Sequence, residues 1–228
     1  MSEESGMTWF HSDGEKWCNE KCIGPNYRCP KLLPTYECEI DKKREEEQAE
    51  QTDRVADFSR IMREHIPAAS WVPLFAYLCE AGFFDAPASI HHHGAYPGAL
   101  YDHSCAVTQA LVHLTERLDL KWEQERSPYI VGMFHDLCKV DNYKHKDGSG
   151  EAWEYNNAAL LPGHGEKSVI LLQRFLVLTE EEMLCIRWHM GAFDDKEKWN
   201  SYGRACTAYP NVLYTHTADM IAARVLGV

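Results

Sequence analysis

The 228-residue sequence lacks any run of eighteen apolar residues, so no helix is expected to cross a bilayer. Its opening, MSEESGMTWFHSDGEKW, lacks the basic flank and apolar stretch of a secretory leader. A cytoplasmic location with reduced thiols is the expectation. Basic residues are scarce: 23 Lys and Arg stand against 35 Asp and Glu, a net charge of −12. Duplex nucleic acid is held mainly by cations that neutralise phosphates, so neither a duplex nor a membrane partner is expected. A small phosphorylated substrate held through a metal is compatible with that charge. The nine cysteines are odd in number and no leader precedes them, which argues against a disulfide framework. The chain also lacks internal repeats and low-complexity tracts.

What is present divides unevenly. Residues 1–40 are rich in Gly, Pro, Asn and cysteine, with little apolar periodicity, and read as an irregular appendage. Residues 41–228 read as one domain with its core at about 65–226. Across 40–66 the chain is charged and helix-forming, with Val55, Phe58, Ile61 and Met62 at helical spacing only near its end. Beyond it, the apolar pattern predicts helices over Trp71–Ala81, Leu100–Leu118, Pro128–Cys138, His164–Leu178, Thr179–Met190 and Pro210–Leu226. Thr179 with Glu182 three residues on has the form of a capping box. NYKHKDGSGEAWEYN, with aromatics on both sides of an Asp-Gly, predicts a small hairpin. The fold class is all-α. Trp71, Phe75, Phe83 and Phe84 serve either the core or a homodimer interface. Cys79, Cys105, Cys138, Cys185 and Cys206 read as small core residues.

Each helix after residue 99 carries a metal-ligand type of side chain with its apolar stripe. His103 precedes Val107, Ala110, Leu111 and Leu114 on one face. Ile130, Val131 and Phe134 lead into His135 and Asp136. His164 shares a face with Leu171, Leu172 and Phe175. His189 follows Cys185 and Ile186 by four and three residues, and Asp219 is flanked by Thr215 and Ala222. Buried without partners, such groups would each cost several kcal/mol, roughly. Together they point to a metal site of imidazole and carboxylate donors. Six donors exceed what one tetrahedral ion uses and suit two divalent ions bridged by a carboxylate. Mn, Fe, Mg, Zn and Ni are not distinguished by these residues.

In order and spacing, His103, then His135-Asp136, then Asp219 resembles the HD-domain superfamily of metal-dependent phosphohydrolases. The added His164, in LPGHGEKS, and His189, in IRWHMG, resemble its dinuclear branch. The segments HHHGAYPGALYDHS, HDLCKV, GHGEKS and RWHMG are similar in order to the HD domain of bacterial 3′-to-5′ exoribonucleases of the YhaM type. The resemblance covers about residues 65–226 and implies an HD-type helical bundle. It implies one ion held by His103, His135, Asp136 and Asp219, and a second held by Asp136 as bridge, His164 and His189. It makes Asp136 and Lys139 the catalytic candidates, with Lys139 on substrate phosphate. The exoribonucleases carry a nucleic-acid-binding domain ahead of the HD domain, and residues 1–40 are too short for one. A nucleotide or short oligonucleotide is therefore the expected substrate.

Further substrate contacts are expected from His92 and His93 in the loop before the first ligand helix, and from Arg187. Lys167 is, like Arg187, a candidate phosphate clamp, and His216 a candidate neighbour of Asp219. Cys18, Cys22, Cys29 and Cys38 offer four thiolates for a structural zinc or an iron–sulfur cluster, without the CxxC knuckle typical of zinc sites. The same donor order occurs in HD-type mixed-valence diiron oxygenases acting on small organic or phosphonate substrates, which is the alternative reading. A non-catalytic binding module is the third.

Overall fold

Helical periodicity in the sequence becomes an all-α fold in the computed structural model, which describes residues 9–10, 16–17, 39–90, 94–146 and 153–228. The chain forms two units, Met1–Asp53 and Arg54–Val228. In the first, strands β1 (Trp9–Phe10) and β2 (Lys16–Trp17) pair antiparallel, a short regular element where irregular structure was expected. The four candidate zinc cysteines, Cys18, Cys22, Cys29 and Cys38, lie outside the described residues, as do His92 and His93.

Helix α1 spans Glu39–His65, and its residues from Arg54 onward belong to the second unit. There Phe58, Met62 and then Ile66 are buried. Helix α2 (Ala68–Glu80) follows and stops at Gly82, whose φ of +75° suits a residue without Cβ. Trp71, Phe83 and Phe84 are buried and Phe75 is partly buried, so these aromatics belong to the core. Phe58 is its hub, with ring centroids 5.4–6.4 Å from Phe75, Phe83, Phe84 and Phe134. Each fully buried Phe of this kind contributes ~2 kcal/mol.

Helix α3 (Ala99–Leu118) runs beside α4 (Ser127–Phe134) and α8 (Asn211–Ile221). The second helix was expected to reach Cys138. Instead it stops at Phe134, Asp136 leaves helical geometry at φ −104° and ψ 18°, and a 3-10 turn covers Leu137–Asp141. Strands β3 (Tyr143–His145) and β4 (Trp153–Tyr155) form the expected hairpin. Helix α5 (Gly165–Leu172) is shorter than the apolar pattern suggests. Past it, Leu176 and Leu178 are buried while Val177 is 90% exposed, an alternation of period two.

Helix α6 (Glu180–Arg187) opens with the capping box. Thr179 Oγ1 accepts from the Glu182 amide, and the Glu182 carboxylate accepts from the Thr179 amide. Helix α7 (Trp199–Ala208) buries only Ala205, and α8 continues into a π-helical turn, Ala222–Leu226. No described helix is long and apolar enough to cross a membrane.

Candidate metal centre

Two close approaches of backbone bring the site together. A Cβ on Gly132 would stand 2.5 Å from Thr108 Cα, so only glycine lets α4 lie this near α3. This brings His135 Nε2 to 3.2 Å from His103 Nε2. Likewise a Cβ on Gly165 would stand 2.4 Å from the Arg187 carbonyl oxygen. That approach sets His164, just before α5, beside His189, just after α6, with ring centroids 5.0 Å apart.

Asp136 lies at the centre. Its Oδ2 faces His103 Nε2 at 3.7 Å and His135 Nε2 at 3.5 Å. Its Oδ1 faces His164 Nε2 at 2.9 Å and His189 Nε2 at 3.3 Å. Asp219, from α8, places Oδ1 3.2 Å from His103 Nε2 and 4.0 Å from His135 Nε2. All six residues singled out in the sequence thus meet around one carboxylate. His103, His135, Asp136 and His189 are buried; His164 is the most open, with its side chain 33% exposed.

Imidazole orientation is set from outside. His103, His135 and His189 donate Nδ1–H to the backbone oxygens of Val228 (3.0 Å), Gly132 (2.8 Å) and Ile186 (2.7 Å). A backbone oxygen can only accept, so the proton sits on Nδ1 and the Nε2 lone pair faces inward. Two such lone pairs 3.2 Å apart repel unless a cation stands between them. Among the described residues, His189 Nε2 and Asp136 Oδ1 are buried without a well-aligned hydrogen bond, which is costly in the absence of a ligand. Donors about 2.1 Å from one ion, at angles between octahedral and tetrahedral, are about 3.0–3.4 Å apart, and most of the distances here fall near that range.

The residues therefore fit a metal ion. His103, His135 and Asp136 form one buried group that could hold it, and Asp136, Cys138 and His164 form a second. Cys138 is thus more than a small core residue. Its Sγ lies 3.0 Å from His164 Nδ1, where the other three imidazoles meet backbone oxygens. Burial pushes its thiol up to about 12, reinforced by the nearby Asp136 charge.

Burial opposes the ionisation of Asp136, but the Lys139 ammonium and the His135 and His164 rings overcome it and hold this carboxyl well below the usual range. Lys139 Nζ is 2.6 Å from Asp136 Oδ2. Burial alone would lower the Lys139 pKa, and the Asp136 charge reverses this and raises it. For Asp219 burial is again outweighed, chiefly by His103 beside it, and its carboxyl is lowered.

The centre forms the floor of a cavity of about 400 Å³, with Asp136, Lys139 and His164 in its lining. Arg187 is not among the lining residues. Its guanidinium is 2.6 Å from both Asp194 and Glu166 and stacks 4.0 Å from the Trp188 ring, so it braces the α5–α6 end of the site. Lys167, weighed as a phosphate clamp, is fully buried and bonded to Asp141 and Asn142. His216 donates Nδ1–H to the backbone oxygen of His189 at 2.7 Å and so supports a neighbour of the site. Cys79 is exposed rather than in the core; Cys138 and Cys185 are buried, and Cys105 and Cys206 partly so.

Sequence reasoning did not single out Arg224, Tyr143, Tyr155 or Phe193, all of which line the cavity. Their signal is tertiary: the hairpin, the turn after α6 and the π-helical turn meet only in the folded chain. Compared with family models, with curated proteins and with solved structures, the chain finds no match.

Proposed function

We propose that this chain is a metal-dependent phosphohydrolase of the HD-domain type, cleaving a phosphoester of a nucleotide or short oligonucleotide. One observation carries the reading: two donor groups share Asp136 at the floor of an open cavity, with Lys139 beside the shared carboxylate. On this reading His103, His135, Asp136 and Asp219 hold one divalent ion, and Asp136, His164 and His189 hold another. Such ions supply Lewis-acid polarisation of a phosphoryl oxygen and activate water as the nucleophile.

The chain's own residues do the rest. The backbone acceptors behind His103, His135 and His189 fix each ring before any ligand arrives, which removes a reorganisation cost from binding. Asp136, kept ionised by its neighbours, supplies one oxygen to each side of the centre. Lys139 holds a phosphoryl oxygen in line, and it stays charged in a site where burial would otherwise discharge it. Cationic Lys139 in the cavity lining suits an anionic substrate.

The test is a turnover panel. Mn-loaded protein is incubated with nucleoside mono-, di- and triphosphates, cyclic nucleotides and short oligonucleotides, and products are separated by chromatography. The expected result is a nucleotide or phosphate product that disappears in Asp136→Ala. No product from any of them would overturn hydrolysis. Oxygen consumption by the iron-loaded protein would then identify the diiron oxygenase.

A further inference from the structure

The β3–β4 hairpin contributes to the same cavity as Asp136 and His164. Tyr143 and Tyr155 are direct cross-strand partners, so their rings share one face, with centroids 5.5 Å apart. Both line the cavity, yet Tyr155 is 55% exposed. A three-residue hairpin has little stability of its own. This one is tied at its root to the residues around Lys139. Asn156 donates its backbone N–H to the Asn142 oxygen and its side-chain N–H to the Asp141 oxygen, each at 2.9 Å. Buried Lys167 bonds the Asp141 and Asn142 side chains from α5. The tyrosine pair is therefore held at a set offset from Asp136.

Arg224 lies on the same cavity, presented by the π-helical turn after α8. π-helical turns are rare and recur at functional sites. Among the described residues Arg224 has no carboxylate partner, unlike Arg54, Arg126 and Arg187. An aromatic pair and an unpaired guanidinium beside a phosphoester centre match a ligand with a planar ring and a second anion.

We propose that Tyr143 and Tyr155 form a base-stacking subsite and that Arg224 binds a second, non-reacting phosphate, so that the preferred ligand is a nucleotide bearing two phosphate groups. This rests on the phosphohydrolase reading and adds its selectivity. Base–aromatic stacking tolerates any base, because every base has a π-face. Discrimination is thus expected against ligands without a base rather than among bases.

The test is equilibrium binding by intrinsic fluorescence to Mn-loaded full-length protein, read before measurable turnover. The probes are ribose 5-phosphate, adenosine 5′-monophosphate and adenosine 3′,5′-bisphosphate. The monophosphate is expected to bind about 10-fold or more tightly than ribose phosphate, and Tyr155→Leu to erase that difference while leaving ribose phosphate binding unchanged. The bisphosphate is expected to bind severalfold more tightly than the monophosphate, and Arg224→Gln to remove only that gain. Both side chains are exposed enough for the variants to fold, which an unchanged melting temperature verifies. Equal binding of all three probes, or equal weakening of all three in the variants, would overturn the subsites and leave the phosphohydrolase reading standing. No binding of any probe would overturn both.

Discussion

Gly132→Ala tests the packing that brings His103 and His135 together. The new Cβ would meet Thr108 Cα at 2.5 Å, Oγ1 at 2.7 Å and N at 2.9 Å, whereas ordinary contact begins at about 3.4 Å. Two of those atoms are backbone, so no rotamer change on α3 relieves them. The helices must part by close to 1 Å. Overpacking of this kind costs ~1–3 kcal/mol, and the backbone contacts place this case at the upper end. At 2–4 °C per kcal/mol for a domain of this size, the melting temperature should fall by roughly 6–12 °C. The same displacement separates two imidazoles that stand 3.2 Å apart, so metal affinity should fall about 10-fold or more. Thermal unfolding in chelator gives the first effect and a competitive metal titration the second. Gly203→Ala is the control: its Cβ meets nothing within 4 Å on exposed α7, and it should stabilise slightly. Unchanged stability and metal affinity in Gly132→Ala would refute the argument that close helix approach builds the site.

Glu182→Ala should cost about 3–5 kcal/mol in denaturant unfolding, because it leaves the Thr179 amide, Arg126 and Ser127 without their carboxylate partner; Thr179→Ala, which removes the acceptor for the Glu182 amide, should cost ~1 kcal/mol. Lys167→Met keeps the side-chain volume but removes the tie to Asp141 and Asn142, and should cost ~1–3 kcal/mol and weaken the hairpin's hydrogen-exchange protection. Burial pushes the Cys105 thiol up to about 12 from about 9, so the unfolded chain ionises first. Its stabilising contribution is full below about pH 9 and declines as pH rises toward 12; urea midpoints across that window should fall less steeply in Cys105→Ser.

Much of the candidate centre was legible in the sequence where a donor sits on a helix whose apolar stripe fixes its inward direction. His103 on α3 and Asp219 on α8 are such cases. Thr179 and Glu182 were legible because a capping box is a local motif with local bonds. Helix α7 was missed because its stripe, Tyr202, Ala205 and Cys206, is short and lies among polar residues, with Ala205 alone fully buried. The turn at Asp136 was read as continuous helix, since nothing local announces that His135 and Asp136 must both face inward. The roles of Arg187 and Lys167 were hidden for a different reason. Their partners, Glu166 with Asp194 and Asp141 with Asn142, are acidic and polar groups that only folding brings near. The cavity wall, with Tyr155 and Arg224 from separate elements, has no linear signature.

The most direct test is the number of metal ions per chain, measured by elemental analysis after loading with Mn and removal of free ion. Two are expected in the wild-type protein, one in His189→Ala, and at most one in Asp136→Ala, whose two oxygens face both sides of the centre. A wild-type protein that retains none, or an Asp136→Ala variant that retains the full complement, would contradict the two-ion assignment.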